Sequence, residues 1–212
     1  MQNNNIISIA AIVLSLTAIV IFFKGGSADK LKNENTVDHI DNADGRILFW
    51  EIYPELVITT EGEKINEQAV ILDQFDNKIA FSELLKATKS QNLLIFRFSA
   101  YDCDLCIKST LPLLKDYINK FPENIKVVVD GMTARDFRIK YKELQKDIFW
   151  EKTIFFLEQD NFGLSLENKN IPFFLVINKE SKLINRVFLP DKLYPQQTIV
   201  YLDKVMASLK HD

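Results

Sequence analysis

Cysteine is nearly absent: the chain has two in 212 residues. Two cysteines cannot build a disulfide scaffold. They cannot close a tetrahedral zinc site without two further ligands. Histidine is as scarce, with only His39 and His211 near the two ends, so no metal centre is expected. An excess of basic charge is lacking too: 26 Lys and Arg face 29 Asp and Glu, a formal net charge of -3. Such a chain has no electrostatic pull on nucleic acid. Glycine and proline number six each, too few for a collagenous or low-complexity chain.

What the sequence does have is unevenly placed. Residues 6 to 23 read IISIAAIVLSLTAIVIFF, 18 residues without a charge. At about 1.5 Å rise per residue this run nearly matches the ~30 Å hydrocarbon core of a bilayer. The leader before it, Met-Gln-Asn-Asn-Asn, has no basic residue, and the run exceeds the usual signal-peptide length. Residues 1–24 are therefore expected to be an uncleaved membrane anchor, although Gly26-Ser27-Ala28 offers a small-residue cleavage site. Lys24, Lys30 and Lys32 follow the run, and by the positive-inside rule they favour an inward-facing domain. The cysteine chemistry below favours the opposite side, and the expectation adopted is an extracytoplasmic domain on the cytoplasmic membrane. Residues 25–45 have the composition of a polar tether. Residues 46–212 are expected to form one domain.

Within that domain, strand and helix patterns alternate, as in an α/β sheet covered on both faces. Arg46–Tyr53 and Glu55–Thr60 read as strands of an N-terminal β extension. Ala69–Asp73 and Lys78–Phe81 flank an Asp76-Asn77 hairpin turn. Ser82 reads as the cap of a short helix, Glu83–Thr88. Leu93–Ser99 is a buried-type strand, followed by a helix over Leu105–Phe121 that is expected to kink at Pro112. Ile125–Val129 is a strand, Thr133–Asp147 a helix, and Thr153–Glu158 a short strand. Phe173–Ile177 and Leu183–Phe188 are strands joined by a turn over Asn178–Ser181. Pro195–Leu209 closes the chain as a helix.

Both cysteines fall in the tetrapeptide Cys103-Asp104-Leu105-Cys106, where a strand gives way to a helix. At a helix N-terminus, free amide groups and the dipole stabilise a thiolate, the attacking form in thiol–disulfide exchange. The two-residue spacing lets Cys106 close a ring with Cys103 or resolve a mixed disulfide. A purely structural disulfide is the competing reading. A one-cysteine peroxidase is disfavoured, because Ala100 stands where such sites carry Thr or Ser.

The segment from about Ala69 to Leu209 resembles the thioredoxin-fold thiol–disulfide oxidoreductases. The likeness is greatest to the membrane-anchored TlpA/ResA-like group, within the thioredoxin and peroxiredoxin superfamily. Three stretches carry the resemblance: Val70–Leu84, Phe98-Ser99-Ala100-Tyr101-Asp102-Cys103-Asp104-Leu105-Cys106, and Ile171-Pro172-Phe173-Phe174-Leu175-Val176-Ile177-Asn178. It implies a thioredoxin-like fold, a central mixed sheet flanked by helices. It also implies a redox pair Cys103 and Cys106, a cis-proline at Pro172, and substrate docking through Ile171 and Pro172; Tyr101, read as an exposed aromatic, is a further candidate for substrate binding. Expected partners are protein or peptide disulfides and a membrane thiol reductase as electron donor, with no free cofactor. The alternative is a non-catalytic binding module of the cell envelope.

The chain departs from the family at the site. Asp102 replaces the family's Trp, and Asp104 lies between the cysteines. Two carboxylates there are expected to oppose thiolate formation and favour a reductant. Arg97 stands where thioredoxin has a buried acid; it either stabilises a thiolate or snorkels to the surface and pairs with an acid. Ser109 replaces a Glu common in the TlpA/ResA-like group.

Overall fold

The computed structural model describes residues 53–142, 152–158, 161–167 and 169–209. The expected anchor, the tether and the strand over 46–52 lie outside the described residues, as do residues 143–147 of the helix expected over Thr133–Asp147. No helix among the described residues is long and apolar enough to cross a membrane.

Helix α1 covers residues 53–60, where a strand was expected over Glu55–Thr60. The β-branched Thr59 and Thr60 favour strand by pattern, but both hydroxyls turn back onto the helix. Thr59 Oγ1 donates to the Glu55 carbonyl at 2.7 Å, and Thr60 Oγ1 to the Leu56 carbonyl at 2.8 Å. Pro54 sits in the first turn, where a missing amide costs nothing.

Strands β1 (Val70–Leu72) and β2 (Lys78–Ala80) form the expected antiparallel hairpin. Its turn is the five-residue loop 73–77 rather than Asp76-Asn77 alone. Asp73 organises it by accepting the Phe75 and Asn77 amides, and Asp76 takes a left-handed φ of 63°. Helix α2 (Phe81–Ala87) starts one residue before Ser82. Its cap position is Ala80, which makes no side-chain cap bond, so Ser82 is not the cap.

Strand β3 (Asn92–Ser99), helix α3 (Asp104–Lys120), strand β4 (Ile125–Asp130), helix α4 (Ala134–Lys140) and strand β5 (Ile154–Leu157) follow in alternation. Helix α3 runs through Pro112. Helix α4 ends at Lys140, and its Thr133 cap accepts the Asp136 amide. Strands β6 (Phe173–Asn178) and β7 (Ile184–Phe188) and helix α5 (Pro195–Leu209) fall where the pattern put them.

The seven strands form one mixed sheet in the order β2-β1-β5-β4-β3-β6-β7. Strands β3, β4 and β5 are parallel; β6 pairs antiparallel with β3, and β1 with β5. The period-two alternation of β3 divides its side chains between two cores. Leu94, Phe96 and Phe98 pack with Ile107, Leu111, Leu114 and Ile118 of α3, Phe137 of α4 and the adjacent Tyr141, and Leu202 and Val205 of α5. Each such fully buried aliphatic or Phe side chain contributes about 1.5–3 kcal/mol. The opposite face receives Leu93, Ile95 and Arg97, and there Phe81 of α2 meets Phe162 with ring centroids 4.8 Å apart.

Candidate active site

The centre of the sheet sets the site. Strand β3 is hydrogen-bonded on both sides, to β4 and β6, so its C-terminal end is fixed on two flanks. The chain leaves it at Ser99 and enters α3 at Asp104, with Cys103 as the helix cap residue. Cys103 and Cys106 are joined in a disulfide with Cα atoms 5.3 Å apart. Cys103 Sγ accepts the Cys106 amide at 3.3 Å, so one of the free amides of the helix terminus already points at that sulfur. Both cysteines are half-buried. The Cys106 carbonyl accepts the hydroxyls of Ser109 at 2.9 Å and Thr110 at 2.7 Å.

Antiparallel register delivers the second part. Arg97 of β3 lies opposite Phe173 of β6, so Ile171 and Pro172, just before β6, emerge at the same sheet end as Ser99 and Cys103. Pro172 is buried and Ile171 half-buried. The expected cis-proline is not present: no peptide bond among the described residues is cis. Trans is the lower-energy form of an X–Pro bond by about 0.5–1 kcal/mol. Here the chain turns at Asn170 instead, with a left-handed φ of 56°. Tyr101 is 78% exposed and leans on the β4–α4 connection. A Cβ added at Gly131 would come within 3.2 Å of the Tyr101 ring.

Arg97 does not snorkel to the surface. Its side chain is 2% exposed and surrounded by acids. Nη2 donates to Asp130 Oδ2 at 2.9 Å, Nη1 lies 3.6 Å from Asp102 Oδ2, and Nε lies 3.7 Å from Glu167 Oε1. The guanidinium also sits 5.4 Å from the centroid of Phe173, the residue after Pro172. Glu167 in turn accepts the amides of Phe162 and Leu164. One buried cation thus joins the loop before Cys103, the end of β4 and the loop 161–167. Its β-strand neighbours are apolar, which is why the sequence pattern alone did not reveal the burial.

The two aspartates differ. Asp102 is buried, and its carboxylate accepts the Ser99 amide at 2.7 Å and the Ser99 hydroxyl at 2.8 Å. Burial pushes its carboxyl above the ordinary 3.8; the Ser99 hydrogen bonds and the Arg97 charge pull the other way, and Asp130 adds to the rise. Asp104 is held below the ordinary range by Lys108 and Lys140. Lys108 Nζ lies 2.7 Å from its Oδ2 and Lys140 Nζ 2.8 Å from its Oδ1. The two carboxylates expected to oppose thiolate formation at Cys103 each have a cationic neighbour. Lys108 was detectable as the i+4 neighbour of Asp104 on one helix face. Lys140, Asp130 and Glu167 come from other elements, and no local spacing links them to the cysteines.

Among the described residues no cluster of His, Cys, Asp and Glu is arranged to hold a metal ion. The site can exchange electrons through its sulfurs: the pair is oxidised to a disulfide at a helix N-terminus, and Cys103 follows the exposed Tyr101 by two positions.

No protein-family model and no curated protein sequence matches the chain. Solved structures do. A candidate protein disulfide isomerase from Bacteroides thetaiotaomicron superposes with a TM-score of 0.51 at 14% identity, covering 73% of this chain and 92% of its own. A thiol:disulfide interchange protein from Bacteroides sp. superposes at 0.46 and 15% identity, covering 68% and 90%. Peroxidoxin BcpB from Mycobacterium tuberculosis gives 0.47 at 14% identity, covering 69% and 97%. The first superposition and the strand order agree: the chain has a thioredoxin-like fold, with a CxxC disulfide, Cys103–Cys106, at its central strand-to-helix join.

Proposed function

We propose that the protein is a thiol–disulfide oxidoreductase that reduces protein disulfides outside the cytoplasm. The observation that carries the reading is the Cys103–Cys106 disulfide at the N-terminus of α3, with Cys103 Sγ already accepting a helix amide. The same amide is in place to hold a Cys103 thiolate once the pair is reduced.

The reaction runs in two exchanges. The Cys103 thiolate attacks one sulfur of a substrate disulfide; a mixed disulfide forms and one substrate thiolate leaves. Cys106, deprotonated, then attacks Cys103 Sγ. The Cys103–Cys106 disulfide forms, and the second substrate thiolate leaves. The substrate gains two electrons and the pair loses two. A dithiol donor, for which a membrane thiol reductase is suited, returns them by the reverse exchange. The proton of Cys106 passes to water or to one of the carboxyls that flank Cys103 in the chain, Asp102 and Asp104. The exposed Tyr101 and the half-buried Ile171, next to the buried Pro172, are proposed as the docking wall for a polypeptide substrate.

The reductive direction is part of this proposal, and the redox potential of the Cys103–Cys106 pair tests it: a potential as high as that of a strong protein oxidant would contradict it. The uncharged run 6–23 supports a membrane tether, with extracytoplasmic protein disulfides or apocytochrome c cysteines as substrates. Zinc, flavin or nucleotide is not required by this chemistry.

The test is a trap. Cys106→Ser should accumulate a mixed disulfide with substrate protein in membranes, released by dithiothreitol; Cys103→Ser should trap nothing. Equal labelling of both variants would contradict the assignment of Cys103 as nucleophile. A topology reporter fused after Lys210 should report the outer side of the membrane, and a cytoplasmic signal would overturn the localisation.

A further inference from the structure

Asp104 is the only charged residue between the two cysteines, and helix α4 reaches over to it. Lys140, at the end of α4, places Nζ 2.8 Å from Asp104 Oδ1. Its reach is not a loose surface contact. The adjacent Tyr141 is buried against Phe98 of β3, ring centroids 6.0 Å apart, and against Phe137, 4.9 Å apart. Lys140 Nζ also lies 5.5 Å from the centroid of the Tyr141 ring. The turn that carries Lys140 is thus anchored in the core beneath the site. Lys108 closes on the other carboxylate oxygen from within α3.

We propose that Lys140 is a positioning residue for the exchange reaction, acting through Asp104. Its charge cancels the carboxylate between the cysteines and so sets how readily Cys103 ionises in the reduced protein. The proposal rests on the thiol-exchange reading of the same pair. The physical argument is Coulombic. A lone Asp104 carboxylate at the first turn of α3 takes up the positive end of the helix and repels a neighbouring thiolate. Paired with two lysines it no longer does either. Other charged or titratable groups around Cys103 are the Cys106 thiol of the reduced pair and Lys108 on α3, Tyr101 and Asp102 on the preceding loop, and Tyr141 beside α4. Behind Asp102 stand Arg97, Asp130 and Glu167. None of these changes in the variants below.

The experiment uses the full chain, reduced, and follows the rate of iodoacetamide alkylation of Cys103 from about pH 5 to 10, located by peptide mass spectrometry. Because the pair is partly exposed, the shift is that of a screened ion pair, about 0.3–0.7 pH unit. Lys140→Gln should move the Cys103 profile up by that amount, seen as a two- to fivefold slower alkylation near pH 6, about the size expected of such a pair. Asp104→Asn should move it down, and Lys140→Arg should restore the wild-type profile. Opposite signs for the first two variants are the signature of charge. Shifts in the same direction would show a packing role and overturn the proposal, as would profiles unchanged from wild type. Alkylation needs no disulfide substrate. A protein inactive in exchange would refute the function proposed above while leaving this measurement readable.

Discussion

Arg97 and Asp130 stand on neighbouring parallel strands, β3 and β4, and Arg97 Nη2 donates to Asp130 Oδ2 at 2.9 Å. The same guanidinium faces the buried carboxylates of Asp102 and Glu167. This one side chain connects the loop that presents Cys103 to the loop that leads towards Pro172. The redox site is therefore held by a buried ionic centre as well as by the sheet.

Breaking that centre should be costly. Arg97→Met keeps much of the volume but leaves Asp102 and Glu167 buried without their cation. Loss of one partner of a buried ion cluster typically costs about 3–5 kcal/mol. Denaturant unfolding monitored by circular dichroism should show the fall in midpoint. A variant as stable as wild type would contradict the structural role assigned to the Arg97 cluster.

The pH dependence of stability should carry opposite signatures from the two aspartates. The Asp102 carboxyl is raised above 3.8 chiefly by burial, so the native state holds its proton more tightly than the unfolded chain. Its favourable contribution is complete below 3.8 and is lost as pH rises through the native value. Asp104 is lowered, so its contribution is present above 3.8 and is lost as pH falls through the native value. The stability of wild type minus that of Asp102→Asn should decline as pH rises from 3.8 through the native value, where burial costs only the wild-type carboxylate. A difference that grows with pH would contradict the raised Asp102.

Gly131 tests the seat of Tyr101. Its φ of 63° is left-handed, and a Cβ there would meet the Tyr101 ring at 3.2 Å. Gly131→Ala should cost about 1–2 kcal/mol from the backbone. It should also displace Tyr101 and raise KM for a peptide disulfide, with kcat little changed. An unchanged KM in the folded variant would remove Tyr101 from the docking wall.

Much of the fold was legible because its elements carry strong local signals. The run Leu93–Ser99, the helix over Pro195–Leu209 and the CxxC at a strand-to-helix join are set by residues close in sequence. Local signals failed where tertiary structure decides. Thr59 and Thr60 read as strand until their hydroxyls bond the helix carbonyls. Arg97 in an apolar strand gives no sign of whether it is buried, because Asp130 and Glu167 lie 33 and 70 positions away. Lys140 was missed for the same reason, 36 positions from Asp104. The bond before Pro172 differs little in energy between its two forms, so sequence alone constrains it weakly.

The central claim is that Cys103 and Cys106 work as an exchange couple, and reduction of insulin disulfides measures it directly. With dithiothreitol as donor, the folded wild-type protein should accelerate precipitation of the insulin B chain, and Cys103→Ser and Cys106→Ser should each abolish the acceleration. A folded wild-type protein no faster than dithiothreitol alone would contradict the account and leave the Pro172 loop and Tyr101 as parts of a non-catalytic binding module.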